Sequence, residues 1–121
     1  MIEKVNIAQK LTLFNDHWSP KIVGEINNFH VKVVKVQGEF DWHHHDEEDE
    51  MFLIVKGSLL MQLQDQDDVV VNEGEFIIVP HGIEHRPVAA EECHLMLFEP
   101  QGTLNTGNVE TDHTVKELDR L

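Results

Sequence analysis

The feature that most restricts the fold of this chain is a series of short apolar segments, separated by turn residues, from residue 21 onward. The segments are rich in Val, Ile, Leu and Phe, which favour β-strands, and most are too short to form a helix with a buried face. They lie at residues 22–26, 29–37, 51–56, 59–64, 69–71, 76–79 and 93–99. Short strands at such close intervals are typical of sandwiches and barrels. We therefore predict an all-β fold.

Two of these segments indicate how the strands are buried. Leu59, Met61 and Leu63 alternate with Leu60 and two glutamines, so one face of that strand should point into the core. Residues 51–55 are apolar at every position, which indicates burial on both faces, against an added layer or another subunit. This second pattern predicts a homodimer.

The length of 121 residues fits a single domain, residues 1–121. We expect an N-terminal arm over residues 1–20 and a C-terminal tail over residues 101–121. Residues 4–12 are compatible with a short helix or an extended arm, because neither the helical nor the strand spacing of apolar residues persists long enough to decide. The tail is polar and contains Gly and Asn, so we expect a surface loop, with a helical turn at residues 115–121.

The formal charge of −14 excludes nucleic acid and anionic membrane surfaces as partners, because binding to either needs a cluster of Lys and Arg. No apolar run approaches the roughly 20 residues of a membrane helix, and residues 1–10 carry no signal-peptide core. Cys93 is the single cysteine, so no internal disulfide forms. We expect a cytoplasmic protein whose partner is a small molecule.

Two histidines in the segment WHHHDEEDE, residues 42–50, are spaced to share one ion. His43 and His45 are two residues apart, so both imidazoles project from the same face of a strand, and His44 points away. Glu50 follows a short acidic turn and opens the next apolar segment. Its carboxylate is placed to close on the same ion.

The segment GEFIIVPHGIEH, residues 74–85, supplies a fourth candidate ligand. It runs through an apolar strand into a Pro-x-Gly turn at residues 80–82 and then reaches His85. Residues about 40 apart in sequence are able to face each other on antiparallel strands. His85 is therefore free to join the first three ligands.

These two segments resemble the two motifs of the cupin family of small metal-binding β-barrels. The motif positions are filled by His43, His45, Glu50 and Gly57, and then by Gly74, Pro80, Gly82 and His85. Gly38 lies one residue closer to His43 than in the usual pattern, and Ala89 replaces an Asn that often ends the second motif. The resemblance implies a double-stranded β-helix, or jelly-roll, barrel. More narrowly, the chain is similar to short single-domain bacterial cupins described as mannose-6-phosphate isomerase-like.

The remaining polar residues are expected outside the ligand set. We interpret His44, His81, Asp46, Glu47, Glu48 and Asp49 as surface or rim groups, and His17, His30 and His113 as ordinary polar residues. His94 lies in an apolar strand whose inner face borders the expected pocket, so contact with the ligands or the substrate stays open. We expect Trp42 and Cys93 to serve in packing.

Three imidazoles and one carboxylate favour Fe, Mn, Ni, Co or Zn over Ca or Mg. A divalent ion with one carboxylate ligand stays net positive and should attract anionic oxygen ligands. The cupin resemblance implies either an enzyme, such as a dioxygenase, isomerase, decarboxylase or lyase, or a protein that only binds sugars. Our leading hypothesis is a metal-dependent enzyme acting on a small oxygenated metabolite, a class that includes anionic ones.

Two alternatives stay open at this stage. One is a non-catalytic binding or sensing module, and the other is a purely structural metal. No general acid or base can be assigned from the sequence, so the catalytic residues are unknown.

Overall fold

The computed structural model describes all 121 residues of the chain. Its elements are α1 (Ile7–Leu11), β1 (Lys21–Ile26), β2 (Phe29–Glu39), β3 (Glu50–Lys56), β4 (Ser58–Leu63), β5 (Val69–Asn72), β6 (Phe76–Val79) and β7 (His85–Pro100). The named strands pair in antiparallel fashion. The predicted all-β fold is confirmed.

Strand β7 is longer than the sequence predicts and joins the two sides of the fold. Its first residues pair with β4, with His85 opposite Leu63, and its later residues pair with both β2 and β3. The prediction began this strand at Cys93, because Glu91 and Glu92 interrupt its apolar pattern. The strand order β1-β2-β7-β3-β6, with β4 and β5 added beside β7, forms the jelly-roll barrel.

The barrel core confirms the alternation predicted for β4. Leu59 and Met61 are fully buried, and Leu63 packs against the same cluster. On β3, Phe52 and Ile54 point inward and are buried, which confirms the burial predicted for its inner face. Met51, Leu53 and Val55 on the outer face of β3 are half-buried, so a single chain covers that face only in part.

The N-terminal arm provides that partial cover. The alternative of a short helix is the one observed, and α1 begins after Asn6, whose side chain accepts a hydrogen bond from the Gln9 backbone N–H. Leu11 and Phe14 pack on Val33, on the outside of the barrel. The structure contains no helix of the length and hydropathy needed to span a membrane.

The C-terminal tail is not the loose surface loop that its composition predicts. Thr103 and Thr106 are buried, and residues 115–121 form no helix. Instead the last residues lie along β1, where the Leu121 N–H donates to the Ile22 carbonyl at 2.9 Å. The middle of the tail covers the segment that precedes β3.

Candidate metal centre

The barrel brings the two sequence motifs together through their backbones. His43 lies in the loop between β2 and β3, and His85 is the first residue of β7. The His43 N–H donates to the His85 carbonyl at 3.0 Å, and the His85 N–H donates to the His43 carbonyl at 2.8 Å. This antiparallel bridge joins the motifs across more than 40 residues of chain.

All four predicted ligands meet inside the barrel. Each of His43, His45, Glu50 and His85 offers one ligand atom, and these atoms lie within 4.8 Å of one another. His45 Nε2 and Glu50 Oε1 are 3.2 Å apart, and His85 Nε2 is 3.9 Å from the same oxygen. Every one of the four residues is at most 5% exposed.

Backbone carbonyls fix the orientation of two of the rings. His43 Nδ1 lies 2.8 Å from the Asp41 carbonyl oxygen, and His85 Nδ1 lies 2.8 Å from the Ile83 carbonyl oxygen. A carbonyl only accepts, so Nδ1 carries the proton in both rings and Nε2 keeps a free lone pair. Metal-binding histidines are commonly oriented in this way.

Three potential metal-ligand atoms that face the centre of this cluster have no hydrogen-bond partner. His45 Nε2, His85 Nε2 and Glu50 Oε1 are buried without a hydrogen bond. Burying unpaired polar atoms costs free energy, so native interiors rarely contain several of them in one place. A cation between the four side chains would satisfy these atoms together. The residues therefore fit the metal that the cupin resemblance implies.

The protonation of the cluster also suits a metal. Burial lowers the pKa of His43 and of His85 to about 4, and it also lowers the pKa of His45. The three imidazoles are therefore neutral at neutral pH, which is the form that binds metals. Burial raises the pKa of Glu50, because its charged form has lost solvation.

The C-terminal tail packs against the ligand segment, and nothing in its sequence pattern indicated this. The His44 N–H donates to Asn108 Oδ1 at 2.9 Å, and the Asn108 N–H donates to the His44 carbonyl at 3.0 Å. Gly107 lies so close to this segment that an added Cβ would collide with the His44 carbonyl oxygen. The tail and the ligand segment thus require a glycine where they touch.

A mostly apolar cavity lies beside the ligands, inside the barrel. It is lined by Trp18, Pro20, Val34, Val36, Phe40, His43, Glu50, Phe52, Pro87, Leu95, Leu97, Glu99 and Asn105. On the other side, His45 borders a polar pocket formed by residues 46–48 and the tail. The candidate metal centre therefore separates an apolar interior from an acidic opening.

The cavity contains an acidic residue that the sequence reasoning missed. Glu99 lines it and is 1% exposed, and Lys32 Nζ donates to Glu99 Oε1 at 2.6 Å. Burial raises the pKa of Glu99, the neighbouring Glu50 carboxylate raises it further, and Lys32 opposes both. A divalent cation held by Glu50 would lower the pKa of both carboxyl groups.

The other polar residues of the two motifs point away from the cluster. His44 lies between Glu84 and Asp46, at 2.8 and 2.9 Å, and His81 contacts Asp49 at 2.8 Å. His94 contacts Glu92 at 3.0 Å and does not line the cavity. Trp42 is 39% exposed and lies below the Arg86 guanidinium, so it packs at the surface and not in the core. Cys93 is fully buried, as predicted, and burial raises its thiol pKa to about 11.

Known proteins resemble this chain in sequence and in fold. The model of the cupin domain family matches residues 30–99. A cupin-2 domain-containing protein from Shewanella frigidimarina NCIMB 400 is 43% identical, with a TM-score of 0.78, over 80% of this chain and 94% of that one.

Two curated relatives match a shorter part of the chain. The uncharacterised protein YdbB of Bacillus subtilis is 34% identical over 64 residues, 53% of this chain and 57% of its own length. The 3-hydroxyanthranilate 3,4-dioxygenase 2 of Aspergillus fumigatus is 30% identical over 82 residues, 64% of this chain and 43% of its own. The chain thus spans about half the length of the curated relatives it matches.

The family match covers both histidine motifs and the strands that position them, and the Shewanella structure extends the agreement to most of the fold. On these grounds, the chain belongs to the cupin family.

Proposed function

We propose that this cupin holds one divalent transition metal ion through His43, His45, Glu50 and His85, and that it is a metal-dependent enzyme. The observation that carries the proposal is the convergence of buried donor atoms that have no partner within the protein. Three neutral imidazoles and one carboxylate favour Fe, Mn, Ni, Co or Zn. When bound, such an ion acts as a Lewis acid or as a centre for oxygen chemistry.

The residues of this chain supply orientation and enclosure. The carbonyls of Asp41 and Ile83 hold two imidazoles with Nε2 directed inward, and the tail packs against the ligand segment at Gly107. The apolar cavity provides room for a small substrate next to the ligands. The name of the Aspergillus relative describes a dioxygenase, which supports a reaction of that class, with isomerase and lyase chemistry as the other options.

The substrate is proposed to be a small oxygenated metabolite, with an anionic oxygen as its metal-binding group. A divalent ion with a single carboxylate ligand keeps a net positive charge, and a buried positive centre favours anionic oxygen. A cytoplasmic location stays a prediction, as does the narrower similarity to mannose-6-phosphate isomerase-like cupins.

Turnover is the direct test of the enzyme proposal. We expect protein reconstituted with Fe²⁺ to consume oxygen or to convert a member of a panel of small hydroxy and keto acids and phenols. His85→Ala should lower the rate at least about 100-fold, because even outer-shell partners of a metal are worth 10- to 100-fold. His81→Ala is the matched control, since His81 lies outside the cluster.

Other outcomes of that experiment point to the alternatives. Ligands that raise the melting temperature without being converted would contradict catalysis and favour a binding or sensing module. Unfolding of the protein on chelation would indicate a structural metal.

The pH dependence of metal affinity tests the proposed ligand set. The pKa values of His43 and His85 are about 4, so protons compete little for these two imidazoles above about pH 5. Of the four proposed ligands, this leaves His45 and Glu50 to exchange protons for the metal in that range. We expect Co²⁺ affinity, measured by calorimetry, to fall at most about 100-fold per pH unit between about pH 6.5 and 5 and more steeply below about pH 4. A loss approaching 1,000-fold per unit from about pH 6.5, as for three ordinary imidazoles, would contradict the assignment.

We also propose a homodimer, formed through the outer face of β3 and β6. Leu53 pairs with Phe76, and Met51 pairs with Ile78, so the two strands present adjacent apolar rows without a charged residue. Phe76 is 59% exposed and Ile78 is 53% exposed, and β6 ends the five-strand order with its outer edge unpaired. A second copy of the chain fits this face, because a two-fold axis beside β6 would cover both the edge and the apolar rows.

Light scattering coupled to size-exclusion chromatography tests the dimer. We expect twice the chain mass for the wild type and a monomer for Ile78→Lys, because a buried unpaired charge opposes association. Val70→Lys is the control, since Val70 is 58% exposed on β5, away from this face. A monomeric wild type would contradict the proposal.

A further inference from the structure

The ring of His43, one of the proposed metal ligands, is supported by the two residues that precede Trp42. His43 Nδ1 donates to the Asp41 carbonyl at 2.8 Å. Its ring also lies edge-on to Phe40, with ring centroids 5.4 Å apart and an interplanar angle of 81°. The hydrogen bond sets the direction of Nε2, and the aromatic contact limits rotation of the ring. Any movement of residues 40 and 41 would therefore displace a metal-binding atom.

Both supports are in contact with one residue of the C-terminal tail, His113. A carboxylate only accepts, so His113 Nδ1 donates to Asp41 Oδ2, at 2.9 Å. The His113 ring also stacks on Phe40, with a centroid distance of 5.0 Å and an interplanar angle of 21°. Two independent paths thus connect His113 with the ring of His43, although His113 lies 72 residues after Asp41 in the chain.

A group of threonines holds the tail in the conformation that makes these contacts. Thr111 Oγ1 donates to the same Asp41 oxygen at 2.7 Å and accepts from the His113 N–H at 3.0 Å. The Thr111 N–H donates to Thr114 Oγ1 at 2.9 Å, and the hydroxyls of Thr114 and Thr106 lie 2.6 Å apart. Thr106 is fully buried. The two donors to Asp41 therefore come from one ordered turn that is anchored in the interior.

We propose that Thr111 and His113 are positioning residues of the metal centre, because together they fix the two supports of the His43 ring. The C-terminal tail is then part of the metal site, although it contributes no ligand. This inference rests on the proposed metal centre and deepens it, because it names the residues that hold one of the ligands in place.

The effect of losing these contacts should fall on the ring of His43 and not on its backbone. The Asp41 side chain is 29% exposed, so without its two donors it is free to turn to water, and the carbonyl of the same residue becomes less fixed. The backbone of His43 stays bridged to His85 by two hydrogen bonds. The barrel therefore persists while Nε2 of His43 samples directions that miss the ion. Affinity falls because the ring must be ordered at the moment of binding.

The affinity for Co²⁺, measured by calorimetry, tests the role of Thr111. Thr111→Val keeps the shape of the side chain and loses the donor to Asp41. We expect it to weaken Co²⁺ binding about 10-fold, since outer-shell partners of a metal are worth 10- to 100-fold. Thr111→Ser keeps a hydroxyl and should retain the wild-type affinity. Lys116→Ala is the control, because it removes only an exposed ion pair with Glu110 in the same tail.

Three substitutions separate the two contacts of His113. His113→Asn keeps an N–H donor near the position of Nδ1 and loses the ring, whereas His113→Phe keeps the ring and loses the donor. His113→Ala loses both. We expect each of the first two variants to weaken Co²⁺ binding by less than His113→Ala does. Wild-type affinity in His113→Ala would contradict the proposal.

The visible absorption of bound Co²⁺ distinguishes positioning from a purely structural role of the tail. The absorption depends on the arrangement of the ligands around the ion. We expect it to change in Thr111→Val and in His113→Ala, because one imidazole is no longer held in the same direction. A lower melting temperature of the metal-free variants, with unchanged Co²⁺ affinity and absorption, would show that the tail only stabilises the fold and would overturn the proposal.

Hydrogen exchange of the wild type covers the case in which a variant fails to fold. Coupling between two sites is reciprocal, so an ion that binds more tightly when the tail is docked also holds the tail more firmly. We expect Co²⁺ to slow amide exchange of residues 106–115 about 10-fold, as measured by mass spectrometry. Residues 116–121 are the internal control, because they are bound to β1 through Leu121 and not to Asp41. An equal change in both segments, or none in either, would contradict the proposal.

The outcomes also separate this inference from the proposal on which it rests. Failure of the wild type to bind Co²⁺ would overturn the proposed metal centre and the role of the tail with it. Binding of Co²⁺ by the wild type, with the same affinity and absorption in Thr111→Val and His113→Ala, would overturn the role of the tail alone.

Discussion

The interior of this barrel contains one unfavourable arrangement, the burial of several nitrogen and oxygen atoms whose lone pairs face one another without a hydrogen-bond partner. His45, Glu50 and His85 each place such an atom in the same small volume, and His43 completes the cluster. Each unpaired atom costs roughly 1–3 kcal/mol in a protein interior, and apolar side chains in these places would avoid that cost. A cation would satisfy all of them together, and this is the physical basis of the proposed metal centre.

The strands around the cluster are arranged to hold these donors in place. The reciprocal backbone hydrogen bonds between His43 and His85 fix the two motifs, and the carbonyls of Asp41 and Ile83 set the direction of the rings. Strand β7 contributes His85 at its beginning and Glu99 near its end, because it curves around the barrel and pairs with three other strands. One long strand thus connects the proposed metal centre with the cavity beside it.

Much of this arrangement was predictable from the sequence, for identifiable reasons. The spacing of His43 and His45 places both rings on one face of a strand, and the alternation in β4 predicted which residues fill the core. Glu50 and His85 come from different strands, so their position in the chain only allowed them to meet, and the cupin resemblance made that meeting an expectation. Glu99 was missed although a signal was present: it follows Cys93, Leu95 and Leu97 at every second position, and all of these face inward. Lys32 likewise alternates with Val34 and Val36 at every second position of β2, so it lies on the same face of the strand.

The contacts of the tail could not be predicted, because the sequence of the tail has no regular spacing of apolar residues. Asn108 and Thr111 are held by hydrogen bonds to His44 and Asp41, and polar residues of this kind are equally common in exposed loops. What covers the outer face of β3 could not be predicted either. An unbroken apolar run predicts a cover on both faces, but it does not say whether that cover comes from the same chain or from a second copy.

The most direct test of this account is the metal content per chain of protein produced without an affinity tag, determined by elemental analysis for the wild type and two double variants. His43→Ala with His85→Ala removes two proposed ligands, and His44→Ala with His81→Ala removes two histidines outside the cluster. The account predicts close to one transition metal ion per chain in the wild type and in the second variant, and almost none in the first. A wild type without metal after reconstitution, or a first variant that retains its metal, would contradict it.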